Sequence, residues 1–280
     1  MKKFLKWLLL TGIIVCVFFV SEAVSEKYIN RNIEAIEEAD EEQELPIVYA
    51  EHGGRKFDPL YGFVRPADSG AIRSSVIPVN GPDVSFDVQT KGHEILNAKA
   101  VIRDMTGSTV ITELAARVSA AGEGRANVTF TPDGGIVNDR EYCLELILTD
   151  AEVGSFYYYT RLKKNENYLT DEMLSFVAEF CDKTFDKEKV NDLNIYMESY
   201  GMATSDLAHL DIHSTLDALS WGALSPQKRG EKTFTFKEIG ADTASIELEY
   251  QVSVKGSGDV IHYYDIDEFY RIRWTEEKVY

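Results

Sequence analysis

The best metal candidate in the chain is His209-Leu210-Asp211-Ile212-His213. Ala208, Leu210 and Ile212 alternate with His209, Asp211 and His213, which reads as a β-strand. Residues two apart on a strand share a face. On that reading two imidazoles and a carboxylate project together, a donor set that zinc accepts. His262, Asp265 and Asp267 would be a second source of ligands. The simpler reading of the same alternation is a buried apolar face backed by a solvated polar one, and no catalytic zinc motif of known spacing is present. Asp133, Asn138, Asp139 and Glu141 crowd a glycine-rich turn whose oxygens would suit calcium. Their spacing is not that of an EF-hand loop, and such residues make turns without any ion. Ser225-Pro226-Gln227-Lys228 fits a Ser-x-x-Lys string. Pro226 and the following Arg229-Gly230 place it in an exposed loop rather than at the start of a buried helix. There is no Gly-x-Ser-x-Gly elbow and no P-loop. With 47 acidic residues, almost any carboxylate spacing arises by chance, and glycosidase chemistry depends on separation in space. These patterns assign no catalytic residue and no cofactor.

A second constellation is aromatic. Tyr157, Tyr159 and Arg161 fall on the face opposite Phe156, Tyr158 and Leu162. A row of this kind on an open sheet stacks on sugar rings or receives a peptide. The alternative is that the helices expected after residue 168 cover it.

The elements that hold these residues change period along the chain. Ile47-Val48-Tyr49, Gly53-Gly54 and Lys56-Phe57 read as a hairpin. Val84, Phe86 and Val88 alternate with polar partners, as do Ala98, Ala100 and Ile102, and Ala126, Val128 and Phe130. Tyr142, Leu144, Leu146 and Leu148 make the strongest strand, and Phe156 to Leu162 pairs with it across Gly154. Short alternating strands with regular turns predict an antiparallel β-sandwich over 46–165 of immunoglobulin-like or fibronectin-like type. From Tyr168 the spacing of Met173, Phe176, Val177, Phe180 and Cys181 predicts a helix, with Thr170 as its N-cap. A second helix is predicted from Lys187 to Tyr200. Further alternation at Phe234 and Phe236, Ile246 to Val254, and His262 to Trp274 predicts strands. Residues 166–280 thus read as an α+β unit. Its apolar last strand, so near Tyr280, leads to the expectation that this unit is incomplete, since an unpaired apolar edge is an aggregation hazard.

The N-terminus reads differently. Lys2, Lys3 and Lys6 precede an apolar run from Trp7 to Val20. Extended from Phe4 to Val24, the run is long enough to span a bilayer, and the lysines predict a cytoplasmic N-terminus. Residues 1–24 are therefore expected to be a single-pass transmembrane anchor. The rival is a cleaved signal peptide ending near Ser21-Glu22-Ala23. Both readings put the body outside the cytoplasm. Residues 25–45 are strongly acidic, with Ile29, Ile33 and Ile36 at helical spacing, and read as a helical stalk ended by Pro46. Apolar residues make up 44% of the chain and its formal charge is -18. The first figure implies real cores. The second disfavours nucleic acid as a partner. Three cysteines cannot form a disulfide framework.

Leu45-Pro46-Ile47-Val48-Tyr49, Tyr158-Tyr159-Thr160-Arg161, Lys183-Thr184-Phe185-Asp186, Ile212-His213-Ser214 with Trp221-Gly222, and Phe269-Tyr270-Arg271-Ile272-Arg273 together resemble an uncharacterised family of membrane-anchored extracytoplasmic proteins from anaerobic Gram-positive bacteria. The resemblance spans most of 45–280. It implies location and domain plan, and in that family a longer β-rich region follows. It carries over no activity, cofactor or catalytic residue. The expected function is therefore binding or scaffolding in the cell envelope, with a protein, a glycan or the wall as partner and the membrane held through the N-terminal helix. The alternatives are an extracytoplasmic, metal-dependent hydrolase working through His209, Asp211 and His213, and a regulator of a membrane sensor kinase.

Overall fold

Among the described residues the body forms twelve strands, β1 to β12, in two sheets, most of them at the alternating runs of the sequence. The computed structural model describes residues 44–132, 134–198, 207–256 and 260–275. The expected transmembrane segment and nearly all of the expected stalk lie outside them. Among the described residues, no helix is long and apolar enough to cross a membrane.

The larger sheet has nine strands in the order β2-β1-β4-β7-β6-β5-β8-β9-β3. They are β1 (Ile47–His52), β2 (Arg55–Tyr61), β3 (Val76–Val79), β4 (Val84–Gln89), β5 (Ile95–Arg103), β6 (Val110–Ala120), β7 (Arg125–Phe130), β8 (Glu141–Asp150) and β9 (Ser155–Lys164). β6 serves both halves of this sheet. Its first part pairs with β5, through Leu114 and Ala116, and its last part pairs with β7, through Arg117 to Ala120. The two halves share one core, in which Val48, Phe86 and Val128 join Leu144, Leu146 and Tyr158. The result is mainly β and sandwich-like. The hairpin across Gly53-Gly54 and the β8–β9 hairpin across Gly154 form as the alternation predicts.

Two strands escape the sequence pattern. β3 reads Val-Ile-Pro-Val, and Pro78 argues against a strand because it cannot donate to a ladder. It is tolerated because β3 is the last strand of the sheet and pairs only with β9, in parallel. β6 has no fully buried residue, and the face that Leu114, Ala116 and Val118 lay half-buried against the core is too weak to stand out by alternation.

The smaller sheet is β10 (Gln227–Ile239), β11 (Thr243–Lys255) and β12 (Ile261–Arg273), in that order and antiparallel. Helix α1 (Thr170–Thr184) buries Met173, Val177 and Cys181, as its spacing predicts. Its cap is Leu169, one residue before the predicted Thr170, and no side chain caps it. The predicted second helix is a shorter 3-10 helix, Lys189–Tyr196. A four-residue α2 (Leu216–Leu219) follows, capped by the Thr215 side chain.

The strands at the two ends of the nine-stranded sheet, β2 and β3, would be open edges, and both lie against β10. That cover answers the edge problem of an unclosed sheet. A bulge in β2 makes the joint. Ala50 pairs with Phe57 and Tyr49 with Pro59, so Asp58 is the extra residue, with φ at 47°. The bulge turns the Asp58 carboxylate inward, where it accepts the Phe236 N–H at 2.8 Å. Phe57 and Phe236 meet edge to face with centroids 5.6 Å apart. Arg161 and Lys163 of β9 donate to the Lys237 and Ile239 carbonyls of β10. Residues Leu45–Tyr280 accordingly form one compact unit.

Asp58 is fully buried, and its second oxygen has no hydrogen-bond partner among the described residues. Burial pushes its carboxyl well above the usual range, against the opposing pull of the Phe236 N–H, Lys237 and Arg161. The folded chain therefore holds this proton more tightly than the unfolded chain does. The stability it contributes is complete below the unfolded value, about 4, and is lost as pH rises through the raised folded value. Asn at position 58 stays neutral and tolerates the positive φ. Asp58→Asn is expected to be more stable than the parent at pH 8 by ~1–2 kcal/mol and equal to it at pH 4. Urea unfolding at the two pH values measures the difference.

Candidate functional site

The sequence-derived metal group does not form a strand. Residues 207–209 lie in bends and Ile212-His213 in a turn. The Asp211 carboxylate accepts the His213 N–H at 2.9 Å, and the Ser214 hydroxyl at 3.3 Å. Asp211 thus closes a local Asx turn, and His209, Asp211 and His213 lack the shared strand face that would have gathered them. Ile212, expected on a buried face, is half exposed. Among the described residues, no three His, Cys, Asp or Glu side chains are grouped so as to hold a metal ion. Asp133 of the calcium group lies outside the described residues. In the same loop, the Asp139 carboxylate accepts the Asn165 side-chain amide at 2.8 Å. Cys143 and Cys181 are both buried and unbridged.

The row Tyr157, Tyr159 and Arg161 is not on an open face either, and its cover differs from the expected helices. The chain around residues 62–75 folds over it. Phe63 exchanges two backbone hydrogen bonds of 2.9 Å with Tyr157, and its ring meets Tyr159 edge to face at 5.7 Å. The Tyr159 hydroxyl donates to Glu145 at 3.1 Å and accepts the Ala67 N–H at 2.8 Å. Burial, opposed by the Ala67 N–H and reinforced by Glu145, pushes this phenol up to about 12. Arg161 donates to the Ser75 carbonyl at 2.9 Å, the Lys237 carbonyl at 2.6 Å and Glu141 at 3.0 Å. These groups are spent on holding the fold.

One buried pair of titratable groups carries no sequence signal. His93 Nδ1 lies 3.2 Å from Asp150 Oδ2, and the imidazole stands edge-on to Phe156 at 4.9 Å. Burial opposes ionisation of Asp150. Hydrogen bonds from the Val153 and Glu152 N–H groups and from His93 nevertheless hold its carboxyl below the usual range. The pair ties the turn before β5 to the β8–β9 turn, where Asp150 also accepts the Glu94 N–H.

The exposed surface of interest is β12. It ends the smaller sheet, so its backbone pairs with β11 on one side only. Among the described residues, no other backbone group bonds the far edge of Ile261–Arg273. From residue 266 onward the even residues face inward. Phe180 of α1 meets the Tyr270 ring at 5.4 Å. Glu268 accepts the Tyr250 hydroxyl at 2.5 Å and the Tyr270 hydroxyl as well. Burial, reinforced by Glu268, raises both phenols far above their ordinary value, so both stay donors. This network fixes the strand to the helix behind it.

The odd residues face out. They are Tyr263, Asp265, Asp267, Phe269, Arg271 and Arg273, and all are exposed, Tyr263 and Phe269 at 65% each. Val260, Ile261 and Tyr264 extend the exposed apolar surface at the start of the strand. Within the sheet, Asp267 sits opposite Glu249, and like charges directly opposite destabilise a pair. Burial, with Glu247 and Asp267 nearby, raises the Glu249 carboxyl above its ordinary value. Sequence alternation locates β12, but its edge position depends on sheet order, which sequence does not state.

No protein-family model matches the chain, and no curated protein matches it significantly. Among solved structures it is similar to CopC from Methylosinus trichosporium OB3b, 17% identical, over 34% of this chain and 88% of that one, with a TM-score of 0.24. It is also similar to the secreted serine protease VesC from Vibrio cholerae, 10% identical, over 71% of this chain and 42% of that one, with a TM-score of 0.22. At these TM-scores neither likeness bears on what this protein does.

Proposed function

We propose that the protein is a membrane-anchored, extracytoplasmic binding or scaffold protein of the cell envelope, and that its body acts by adding an extended polypeptide strand to the edge of β12 that faces no described strand. The observation that carries the binding reading is that edge: thirteen residues long, paired on one side, with exposed aromatics. Proteins ordinarily shorten or cover such edges, and this one, whose outward charges are of both signs, is neither short nor covered by a described strand. A long aromatic edge is what strand addition uses, the main-chain bonds supplying affinity and alternate side chains supplying selectivity. The location rests on Lys2, Lys3 and Lys6 ahead of the apolar run to Val20. The immunoglobulin-like or fibronectin-like character of the sandwich is supported by its closing β8–β9 hairpin and by β6 passing from one half to the other.

The outward charges set the selectivity. Along β12 they run from acidic, Asp265 and Asp267, to basic, Arg271 and Arg273, about Phe269. A matching antiparallel strand carries two acids, then an aromatic residue, then two bases. A synthetic peptide of that order, with threonine between, is expected to bind the full chain with a Kd of about 10–100 μM. A control with threonine in place of its four charges should bind at least ten-fold more weakly. Calorimetric titration measures both. No binding of the charged peptide to the monomeric protein at millimolar peptide concentration, or equal binding of the two, would overturn the reading.

A further inference from the structure

We infer that the strand received by this edge is β12 of a second copy, paired antiparallel about Phe269 so that two protomers share one continuous six-stranded sheet. The inference rests on the edge-binding reading above and names its partner. Its ground is the symmetry of the outward side chains. A two-fold axis through Phe269 sets Asp265 opposite the partner's Arg273 and Asp267 opposite the partner's Arg271, with the two phenylalanines facing each other at the centre. Both relations occur twice, giving four Asp–Arg pairs. Slipping the register by two residues in either direction leaves only two. Centring the axis on Asp267 instead sets that acid against itself. Parallel pairing in register would set every charge against its own kind. Opposite charges across a pair stabilise it and like charges do the reverse, so the pattern selects one register.

The inward face agrees. The same axis sets Ile266 opposite the partner's Ile272, and Glu268 opposite the partner's Tyr270, repeating a contact that Glu268 already makes within its own chain. The two inner charges, Asp267 and Arg271, are also unanswered within one protomer, whereas Asp265 accepts the Gln251 side-chain amide at 2.8 Å and Arg273 pairs with Asp242 at 3.3 Å. Asp267 faces Glu249 across the sheet, and among the described residues Arg271 has no carboxylate partner. A second copy brings an arginine to Asp267 and an aspartate to Arg271. This is an isologous contact, the same patch on both protomers, which closes on itself rather than growing into a fibre.

The test uses the full chain in detergent with Phe269→Cys. Directly opposed residues in an antiparallel pair have Cα atoms about 4.5–5.5 Å apart, within disulfide reach. Mild oxidation is expected to give a covalent dimer. The parent chain, which keeps Cys16, Cys143 and Cys181, and an exposed control, Val137→Cys, should not. Two charge variants are then made in the Phe269→Cys background. Asp265→Arg with Asp267→Arg makes the edge wholly basic, and Arg271→Asp with Arg273→Asp makes it wholly acidic. Each alone should lose at least ten-fold in dimer yield. Co-expressed under different tags, they should form the mixed dimer at a yield within about two-fold of the original. Dimerisation of either charge variant alone, or failure of the mixture to recover it, overturns the inference. If Phe269→Cys stays monomeric while the synthetic peptide still binds, the second copy is excluded and the strand-addition reading stands. If the peptide also fails, both fall.

Discussion

Replacing Phe236 by alanine is expected to lower the stability of the protein by about 3–5 kcal/mol. Phe236 is fully buried where β10 crosses the two end strands of the larger sheet. Its ring lies edge-on to Phe57, and its N–H is bonded by Asp58. Truncation removes the ring from the joint and leaves a cavity that β2, fixed by its bulge, cannot close. The loss should appear as a lower urea midpoint of one cooperative transition, because Leu45–Tyr280 shares a single core. Phe269→Ala, equally large but exposed, should stay within about 0.5 kcal/mol of the parent when both are measured as monomers. A separate early transition, moved alone by Phe236→Ala, would show instead that the smaller sheet folds independently.

Arg161→Ala is expected to cost about 2–4 kcal/mol. The side chain is 12% exposed and its guanidinium joins three elements at once. It holds the Ser75 carbonyl ahead of β3, Glu141 on β8 and the Lys237 carbonyl on β10. Removal takes a side-chain donor from two carbonyls, of which that of Ser75 keeps the backbone N–H of residue 161, and leaves Glu141 without its cation. Arg161→Lys should recover less than half of the loss, since an ammonium cannot reproduce the planar fork. Urea unfolding of both variants gives the figures. A ligand-binding arginine on an open face would behave otherwise, leaving stability unchanged when removed.

These two residues mark how far the sequence could be read. The alternation of Tyr142, Leu144, Leu146 and Leu148 located β8, and the spacing of Met173, Val177 and Cys181 located α1, because each buries one regular face. The same logic failed at Ala208, Leu210 and Ile212. Five residues of alternation there compete with the turn chemistry of Asp211, and the turn won. Arg161 was visible as part of an aromatic row. Its partners Ser75 and Lys237, 86 and 76 positions away, were not. The edge of β12 shows the same divide. Its residues alternate legibly from His262 to Trp274, yet a strand becomes an edge only through the order of its neighbours. The charge palindrome around Phe269 was in the sequence all along, but it acquires meaning only once no described strand lies beside it.

The most direct measurement is amide hydrogen exchange across residues 261–273 of the full chain, with and without the charge-matched peptide. On a strand paired along one side, every second amide points away from its neighbour. In monomeric protein, held at a concentration too low for two copies to pair, those outward amides are expected to exchange quickly alone and to slow at least ten-fold when the peptide saturates, while the amides already bonded to β11 change little. Protection that appears elsewhere on the molecule, or fast exchange at the outward amides of β12 despite bound peptide, would contradict strand addition at this edge.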